Sequence, residues 1–472
     1  MSINCLALDF GASSVRLILG KYDGEKIEIA EIHRFLNEPV VLHGRVYWDF
    51  LRLFHEVKIG LKKVSKLNLK IQSIGVDTWG VDYGFLDKNG DLMQNPIHYR
   101  DKRTFKAVED VHKIISFDEI YKTTGIQYMN LNTIYQLVSD KEIRDDIYEK
   151  ADKFLMIPDL FNYFLCGEKV NEYTEATTSS LIDINSKKWS NEILNKLGLR
   201  SEIFCNIAFP GTILGKITKE IEDEVSLKNI NVIAISSHDT ASAVSSIPFD
   251  DENSAFLISG TWSLMGKKLN DPIITVDSMR NNFTNEGLAE NKIAFLKNIT
   301  GLWIIQQLKK SIELSSGKNI SFNDIIEAAK DENNKDFFID VSSYEFLLPL
   351  NMAEAIADHC EKKGQERPKT LGEHAIAVYN GLVYQYKLAL DDLELLTKTQ
   401  VRSVNMVGGG IQDEFLCQMT ANTIKKPVIA GPVEASIVGN ILIQLMALGE
   451  IQDLNQGREI IKNSFDVKIY DI

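Results

Sequence analysis

Short apolar runs and longer segments with helical periodicity alternate along the whole 472-residue chain. Near the N-terminus, the apolar runs 3–9, 15–19 and 26–35 are separated by only a few residues, which is typical of consecutive β-hairpins. Apolar residues recur at helical spacing after Trp48 and again over 371–396, and each pattern predicts an amphipathic helix. This alternation of strands and helices indicates an α/β fold.

One pattern occurs twice in the chain. An apolar strand, a turn with Gly and Ser, and a second apolar run form LALDFGASSVRLILGKYDG from Leu6 and AFLISGTWSLMGKKLN from Ala255. A duplicated domain would produce this repeat, and a chance likeness between two β-hairpins is the alternative. The polar segment 248–254 lies between the copies, so we predict two domains at 1–247 and 248–472.

A third glycine turn lies in the second half of the chain. The predicted strand 404–407 leads into Gly408, Gly409 and Gly410, and a helix-like segment follows the three glycines. Glycine lets the backbone approach a ligand closely, and a helix N-terminus attracts anions. Three such turns, each after a strand, indicate a ligand site more strongly than any one of them.

The stretch ISSHDTASAV places a histidine and an acid among small residues. The apolar run 231–235 predicts a buried strand that turns at 236–240 into a helix. Asp239 or Thr240 could cap that helix, because both residue types accept hydrogen bonds from the N–H groups of a first turn. Asp239 could also carry chemistry, although caps of this kind are common and this stretch by itself favours capping.

Charge and composition argue against some classes of binding partner. The chain has 66 acidic and 52 basic residues and a net charge of −14, which argues against non-specific binding to nucleic acid or to an anionic membrane. No apolar run approaches the roughly 18 residues of a membrane helix, and we interpret the N-terminus as a strand rather than a signal peptide. The five cysteines are scattered without CxxC spacing, so we expect no zinc site and a reducing, cytoplasmic location.

Acidic residues at predicted strand ends suit phosphoryl transfer. Asp9 lies beside the Gly11 turn, Asp77 and Asp82 lie in GVDTWGVD, Asp239 lies in HDT, and Thr261 lies in SGTWS. Backbone N–H groups and hydroxyls in such turns can hold phosphate. One or two carboxylates hold Mg²⁺ through water, and a separate aspartate deprotonates the accepting hydroxyl. The chain contains neither GxxxxGK[ST] nor HRDxxxxN, which excludes a P-loop enzyme and a protein kinase.

The stretch GVDTWGVDYG at 75–84 suits a neutral polyol. The carboxylates of Asp77 and Asp82 can accept hydrogen bonds from sugar hydroxyls, and Trp79 offers an apolar platform to a sugar ring. An ordinary core position for Trp79 is the alternative.

These residues together carry a resemblance over nearly the whole chain. The sequence resembles the FGGY family of carbohydrate kinases, and several of its longer motifs are most similar to the family branch that acts on L-rhamnulose. The motifs are DFGASSVR (9–16), EIHRF (31–35), GRVYWD (44–49), SIGVDTWGVDYGFLD (73–87), PIHYRDKRT (96–104), YKTTGIQYMNLNTIYQL (121–137), MIPDLFNYFLCG (156–167), EYTEATT (172–178), SSHDTASAV (236–244), SGTWSLMG (259–266), NEG (285–287), LKNITGLW (296–303), VGGG (407–410) and AGPVEASIVGN (430–440).

The resemblance implies an actin-like, ribonuclease H-like fold of two similar α/β domains that flank a catalytic cleft. The N-terminal domain would hold most of the sugar site, and the C-terminal domain most of the nucleotide site. The implied reaction moves the γ-phosphate of ATP, with Mg²⁺, to the 1-hydroxyl of L-rhamnulose in L-rhamnose catabolism, with no nucleic acid or membrane partner. The alternatives are a kinase for another ketose or polyol such as L-fuculose or xylulose, a non-catalytic sugar or nucleotide sensor, and an actin-like structural protein or ATPase.

The resemblance also implies roles for individual residues. Asp239 would be the general base, and Asp9 would hold Mg²⁺ through water. The residues implied for the sugar are Gly80, His238, Asp239, Thr240 and Asn298. The residues implied for ATP are Ala12, Ser13, Ser14, Val15, Arg16, Thr261, Gln306 and Gly409.

One residue departs from the branch pattern. The first turn usually reads ASSGR, whereas this chain has ASSVR with Val15 at the glycine position. Valine lacks the freedom of glycine to adopt a positive φ. If the turn needs that freedom, the phosphate-binding turn is reshaped here, and we expect altered nucleotide affinity at most.

Overall fold

The computed structural model describes residues 2–11, 13–249, 251–332, 336–347 and 349–472. The chain forms two compact units. The first unit comprises Met1–Pro248, Lys268–Phe295 and Ala435–Phe465, and the second comprises Phe249–Lys267, Leu296–Glu434 and Asp466–Ile472. The chain therefore passes between the units more than once, and the predicted domain boundary at 247 and 248 stays a prediction.

The strands are short, and most lie in two mixed sheets. In chain order they are β1 (Ile3–Phe10), β2 (Ser14–Tyr22), β3 (Ile27–Leu36), β4 (Val40–Leu42), β5 (Arg45–Tyr47), β6 (Ser73–Thr78), β7 (Tyr83–Leu86), β8 (Lys153–Met156), β9 (Asn171–Glu172), β10 (Ile182–Asp183), β11 (Lys188–Trp189), β12 (Ile207–Ala208), β13 (Thr212–Lys216), β14 (Asn231–Ala234), β15 (Ser254–Ser259), β16 (Trp262–Leu269), β17 (Phe283–Gly287), β18 (Ile293–Thr300), β19 (Ser403–Val407), β20 (Val428–Ala430) and β21 (Lys468–Tyr470).

The helices range from one turn to more than seven turns. In chain order they are α1 (Phe50–Ser65), α2 (Thr104–Ile114), α3 (Phe117–Thr124), α4 (Thr133–Ile143), α5 (Asp145–Lys150), α6 (Ile157–Cys166), α7 (Tyr173–Thr177), α8 (Asn191–Lys196), α9 (Lys219–Val225), α10 (Asp239–Ser245), α11 (Val276–Arg280), α12 (Trp303–Ser316), α13 (Phe322–Asp331), α14 (Met352–Lys362), α15 (Leu371–Thr397), α16 (Glu414–Ile424), α17 (Ala435–Ala447) and α18 (Leu454–Ser464). None of the helices in the described ranges is long and apolar enough to cross a membrane.

The first unit contains a six-stranded sheet with the order β13-β14-β6-β1-β2-β3. Strand β6 pairs in parallel with both β1 and β14, whereas β2 and β3 continue the sheet in antiparallel fashion. The three consecutive N-terminal runs therefore form the predicted hairpins. The helix predicted after Trp48 is α1.

Strand β1 is buried on both faces of this sheet. Leu6, Leu8 and Phe10 belong to the apolar cluster that includes α1 and α6, whereas Cys5 and Ala7 pack with α17. Alternate side chains of a strand point to opposite faces, so a strand covered on both sides is apolar throughout. This explains the uninterrupted apolar run that precedes the first glycine turn.

The second unit repeats the start of the first. Strand β15 pairs antiparallel with β16 and in parallel with β19. Strand β1 pairs in the same way with β2 and β6. In the second sheet, β20 and β21 follow β19 in the strand order. The helix predicted over 371–396 is α15, whose N-terminus has a capping box between Thr370 and Glu373. The repeated hairpin in the sequence thus reflects a repeated topology.

Candidate active site

The carboxyl ends of three parallel strands in the first unit bring together the acidic residues noted in the sequence. The register of β1 and β6 sets Asp9 opposite Asp77. The residues after β14 continue beside β6, where the backbone N–H of Thr78 donates to the Ser237 carbonyl oxygen at 2.8 Å. Asp239 begins α10 directly after this contact. Parallel strands end at one edge of a sheet, which is where ligands of α/β proteins bind.

Asp239 is the first residue of α10, and its side chain is 38% exposed. Its Oδ1 accepts a hydrogen bond of 2.6 Å from the backbone N–H of Thr240. The N-cap is His238, which makes no side-chain hydrogen bond to the helix. The prediction that Asp239 or Thr240 caps the helix is therefore wrong, because the N-cap is His238 and Asp239 binds only the adjacent N–H group from within the first turn. The Asp239 side chain stays accessible, which leaves the catalytic interpretation open.

His238 lies between two carboxylates of the first unit. Its Nε2 is 3.6 Å from Asp239 Oδ1, and its Nδ1 is 3.3 Å from Glu286 Oε2 in β17. Burial lowers the pKa of His238, but Glu286 and then Asp239 outweigh it and raise that pKa above its usual value. Burial raises the pKa of Asp239, and the neighbouring His238 opposes this rise. A protonated His238 therefore favours the carboxylate form of Asp239.

Glu172 and Thr174 hold the turn that carries His238 and Asp239. Glu172 Oε2 accepts from the Ser237 backbone N–H at 3.1 Å, and Thr174 Oγ1 accepts from the His238 N–H at 3.2 Å. Burial raises the pKa of Glu172 to about 7, although four hydrogen bonds from Thr174, the backbone of Glu175 and the backbone of Ser237 oppose the rise. Glu172 lies in EYTEATT and Glu286 lies in NEG, but neither motif by itself indicates a role for its glutamate. Contacts between segments distant in sequence bring Glu172 to Ser237 and Glu286 to His238.

Asp9 is paired with Arg16, its partner across the β1–β2 hairpin. The Arg16 Nη2 lies 2.5 Å from Asp9 Oδ2, and Nε donates to the same oxygen at 3.0 Å. Asp77 accepts from Asn440 Nδ2 at 2.6 Å, but its buried Oδ1 has no hydrogen-bond partner. Burial, and then the charge of Asp9, raise the pKa of Asp77 well above its usual value. Asp77 is thus favoured as the protonated member of this acid pair.

The donor set fits a magnesium ion that arrives with a nucleotide. Within the described residues, no group of three or more His, Cys, Asp or Glu side chains is arranged to hold a metal ion. Mg²⁺ needs only one or two protein carboxylates when water and phosphate oxygens complete its shell. Asp9 suits that use better than Asp77, because the Asp9 side chain is 10% exposed whereas Asp77 is fully buried.

The tryptophan of GVDTWGVDYG is a core residue. Trp79 is 6% exposed, its ring centroid lies 4.0 Å from that of Trp48, and both indoles donate to Asp82, at 3.0 and 2.6 Å. Burial raises the pKa of Asp82 to about 6, against the lowering effect of these donors and of Gln136. The core interpretation of Trp79 is therefore confirmed. The expectation that Asp77 and Asp82 accept from sugar hydroxyls is wrong for this structure, because both carboxylates are fully buried.

The loop at Gly80 and the turn at Ser13 are the other predicted site elements of the first unit. A Cβ at Gly80 would lie 3.0 Å from Thr178 Cγ2, so a larger residue would displace Thr178. Ser13 is exposed, its carbonyl oxygen accepts from the Asn37 N–H at 3.1 Å, and Ser14 begins β2. Ala12 lies outside the described residues, and Thr240 is 7% exposed beside Asp239.

In the second unit, the turn between β15 and β16 lies beside the glycine triplet. Gln306 Nε2 donates to Thr261 Oγ1 at 3.4 Å, so two of the residues predicted for ATP are neighbours. A Cβ at Gly410 would lie 2.1 Å from Ser259 Oγ, whereas one at Gly409 would meet no atom within 4 Å. Gly409 therefore keeps an open backbone surface while its neighbour packs closely.

The helix predicted directly after the glycine triplet begins later than expected. A 3₁₀ turn covers Gly409–Gln412, and α16 begins at Glu414 with Asp413 as its N-cap. The N-terminus of α16 is therefore occupied by the Asp413 carboxylate, which accepts from the Leu416 N–H at 3.0 Å. Asn298, predicted for the sugar, lies in β18 of this unit and is partly exposed.

Val15 does not need the conformational freedom of glycine. It lies in β2, opposite Phe10 on β1 and Phe35 on β3, and its side chain is fully buried. An extended strand suits a β-branched residue. The departure from the branch pattern therefore adds an apolar side chain to the core.

Replacing Val15 with Gly is expected to destabilise the protein without improving nucleotide binding. Loss of the buried side chain and the greater chain entropy of glycine should lower the free energy of unfolding by about 3 kcal/mol, measured by urea denaturation. The control is Val41→Gly on the exposed strand β4, where we expect a loss of about 1 kcal/mol or less. ATP binding to Val15→Gly that is tighter by about fivefold or more would show that the turn needs glycine after all.

Two comparisons by sequence cover almost the whole chain. Residues 4–245 match the family model described as "FGGY family of carbohydrate kinases, N-terminal domain". Residues 255–448 match the model of the C-terminal domain of the same family. A rhamnulokinase of Halalkalibacterium halodurans is 41% identical over 465 residues, which cover 98% of each chain. A rhamnulokinase of Bacillus subtilis is 37% identical over 464 residues, covering 98% of this chain and 94% of the relative.

Solved structures share the fold. Xylulose kinase from Lactobacillus acidophilus superimposes with a TM-score of 0.81 at 18% identity, covering 99% of this chain and 93% of that one. Plasmodium falciparum glycerol kinase with ADP gives a TM-score of 0.81 at 15% identity, covering 100% and 94%. The predicted two-domain α/β fold is confirmed by these likenesses, and the two family domains together span most of the sequence. The chain belongs to the FGGY family of carbohydrate kinases.

Proposed function

We propose that this carbohydrate kinase transfers the γ-phosphoryl group of ATP to the 1-hydroxyl of L-rhamnulose and releases L-rhamnulose 1-phosphate and ADP. The relatives described as rhamnulokinases, 35–41% identical over almost their full length, support the choice of sugar. The observation that carries the chemistry is the accessible carboxylate of Asp239 beside His238 at the carboxyl edge of the sheet.

Asp239 acts as the general base in this proposal. Its carboxylate takes the proton of the 1-hydroxyl while that oxygen forms a bond to the γ-phosphorus and the bond from phosphorus to the ADP oxygen breaks. A loose transition state demands little nucleophilicity, so positioning of the hydroxyl contributes most. The charge of His238, which Glu286 supports, keeps Asp239 ready to accept the proton.

The remaining groups bind the two substrates. His238, Thr240, Gly80 and Asn298 contact the sugar. For the nucleotide we propose Ala12, Ser13, Ser14, Arg16, Thr261, Gln306 and Gly409. Val15, which was predicted with them, is fully buried between β1 and β3, so its role is to support this turn from the core. Mg²⁺ neutralises charge on the phosphates when it is bound, and Asp9 would hold it through water.

A panel of ketoses tests the choice of substrate. ADP release is measured with Mg–ATP and L-rhamnulose, L-fuculose, D-xylulose or D-ribulose, with a reaction lacking sugar as the blank. We expect kcat/KM for L-rhamnulose to exceed that of each other ketose by about 100-fold or more, because buried polar groups without a partner penalise the wrong hydroxyl pattern. Preference for another ketose would contradict the substrate but keep the kinase. ATP binding without turnover on any sugar would favour a sensor.

The same proposal assigns the enzyme to the cytoplasm. The reaction consumes ATP, and all five cysteines are free thiols. Reduced cysteines without disulfides are typical of a reducing compartment.

A further inference from the structure

Val81, in the loop after β6, has a left-handed backbone with φ +72°. Among the residues with a described backbone in the left-handed region, it is the one that is β-branched; the others are His, Asn, Ser, Lys, Glu and Gly. Branching at Cβ makes this conformation costly, and such strain persists only where the surroundings hold it. The loop is therefore held by specific contacts.

Three side chains bind both polar groups of the Val81 backbone. Thr178 Oγ1 accepts from the Val81 N–H at 3.0 Å. Thr133 Oγ1 donates to the Val81 carbonyl oxygen at 2.6 Å, and Gln136 Nε2 donates to the same oxygen at 3.2 Å. We call Thr133, Gln136 and Thr178 the Val81 clamp. It fixes the peptide on each side of Val81.

The clamp is itself anchored in the core of the first unit. Thr178 Oγ1 donates to the Glu175 carbonyl oxygen at 2.8 Å while it accepts from Val81. Gln136 accepts from Arg103 Nη2 at 2.6 Å and donates to Asp82 Oδ1 at 3.0 Å. Each clamp residue is almost fully buried, so these hydrogen bonds are protected from competing water.

The clamped segment coincides with the loop proposed to contact the sugar. Trp79 and Asp82 on either side are buried, whereas Gly80 and Val81 are partly exposed. Gly80 lies directly against Thr178, because a Cβ there would be 3.0 Å from Thr178 Cγ2 and 3.1 Å from its Oγ1. A glycine at 80 and a strained backbone at 81 together bring this peptide close to Thr178.

We propose that the Val81 clamp is a positioning device for sugar recognition. Thr133, Gln136 and Thr178 hold the Gly80–Val81 peptide in its left-handed form, and through it they act on the sugar without touching it. This inference rests on the proposed function, in which Gly80 contacts the sugar. A peptide fixed before binding costs less conformational entropy on binding than one that must first be ordered.

Thr133→Val and Thr178→Val test the proposal by removing a hydroxyl from a side chain of nearly unchanged shape. We expect each variant to raise the KM for L-rhamnulose by about tenfold, because it loses one or two well-placed hydrogen bonds to the loop. The KM for ATP should stay within about twofold of the parent value. Thr133→Ser, which keeps the hydroxyl, should restore the sugar KM.

Thr124→Val is the matched control. Thr124 is buried in the same unit, and its hydroxyl also donates to one carbonyl and accepts from one N–H, those of Ile120 and Ile126. It should lose stability as Thr178→Val does, but keep the sugar KM of the parent. A sugar KM that moves no more in the clamp variants than in Thr124→Val would overturn the proposal.

Val81→Gly tests whether the clamp positions the loop for sugar binding if a clamp variant does not fold. Glycine tolerates the left-handed backbone, so the fold should persist, but the freer peptide should raise the sugar KM by about threefold. An unchanged sugar KM in this variant and in any folded clamp variant would overturn the inference alone. A parent enzyme with no turnover on L-rhamnulose would instead overturn the proposed substrate and the inference together.

Discussion

Asp239→Asn is expected to lower kcat by about 1000-fold or more while ATP binding stays within about twofold of the parent. Asparagine has nearly the same shape, and its Oδ1 can keep the hydrogen bond from the Thr240 N–H, so α10 should remain intact. The amide cannot take the proton of the sugar hydroxyl, and only that step is lost. Turnover is measured at saturating sugar and Mg–ATP, and ATP affinity by calorimetry.

Asp145→Asn provides the matched control for this substitution. Asp145 is also the first residue of a short helix, α5, and its Oδ1 accepts from the next backbone N–H, that of Asp146, at 2.8 Å. We expect this variant to keep kcat within about twofold, because a surface substitution changes little. If Asp239→Asn retained more than about a tenth of the parent activity, Asp239 would not be the general base.

Gly439→Ala is expected to destabilise the first unit strongly. A Cβ at Gly439 in α17 would lie 1.8 Å from the Ser242 carbonyl oxygen in α10, and a backbone carbonyl cannot turn aside as a side chain does. The same two helices are joined by the Ser242 hydroxyl, which donates to the Ser436 carbonyl oxygen at 2.8 Å. We expect the free energy of unfolding to fall by about 3 kcal/mol, measured by urea denaturation.

The displacement should also reach the chemistry, because α10 begins with Asp239. A shift of about 1 Å in the base can cost about 100-fold in kcat. The folded fraction of Gly439→Ala should therefore turn over more slowly than the parent, with the KM for ATP little changed.

Gly457→Ala in α18 is the control for Gly439→Ala. Its added Cβ would meet only the ends of the Leu442 side chain, at 3.2 and 3.3 Å, and these can rotate away. Alanine gains about 1 kcal/mol of helix propensity over glycine, so this variant should match or exceed the parent in stability. Equal stability of Gly439→Ala and Gly457→Ala would contradict the close packing of α10 on α17.

Sequence periodicity was sufficient for the elements that organise the site. The strands β1 and β15 are continuous apolar runs because they are buried, and the helix α15 has apolar residues at helical spacing. The strand, the turn and the helix around His238 and Asp239 were also predicted from the sequence, because β14 is a continuous apolar run and small residues follow it. Local patterns predict such elements because each depends on residues close in sequence.

The motifs also predicted the family, which the comparisons confirmed. They indicated phosphoryl transfer because that reaction needs carboxylates for Mg²⁺ and for the accepting hydroxyl beside turns that can bind phosphate. They did not rank the aspartates by accessibility. Asp77 and Asp82 resemble Asp239 in the sequence, yet both are fully buried and only Asp239 has a substantially exposed carboxylate among these three.

The tertiary structure alone decided which side chains support the site. Glu286 meets His238 from a strand 48 positions later, and Asn440 binds Asp77 from a helix 363 positions away. The tertiary structure also places Trp79 in the core. It holds Val81 in a strained backbone through hydrogen bonds from residues more than 50 positions away in the sequence. Burial, pKa and strain depend on what packs around a residue, and packing joins segments whose sequence patterns are independent. The sequence by itself determined the elements, the family and the candidate base, whereas the burial and the contacts around that candidate came from the fold.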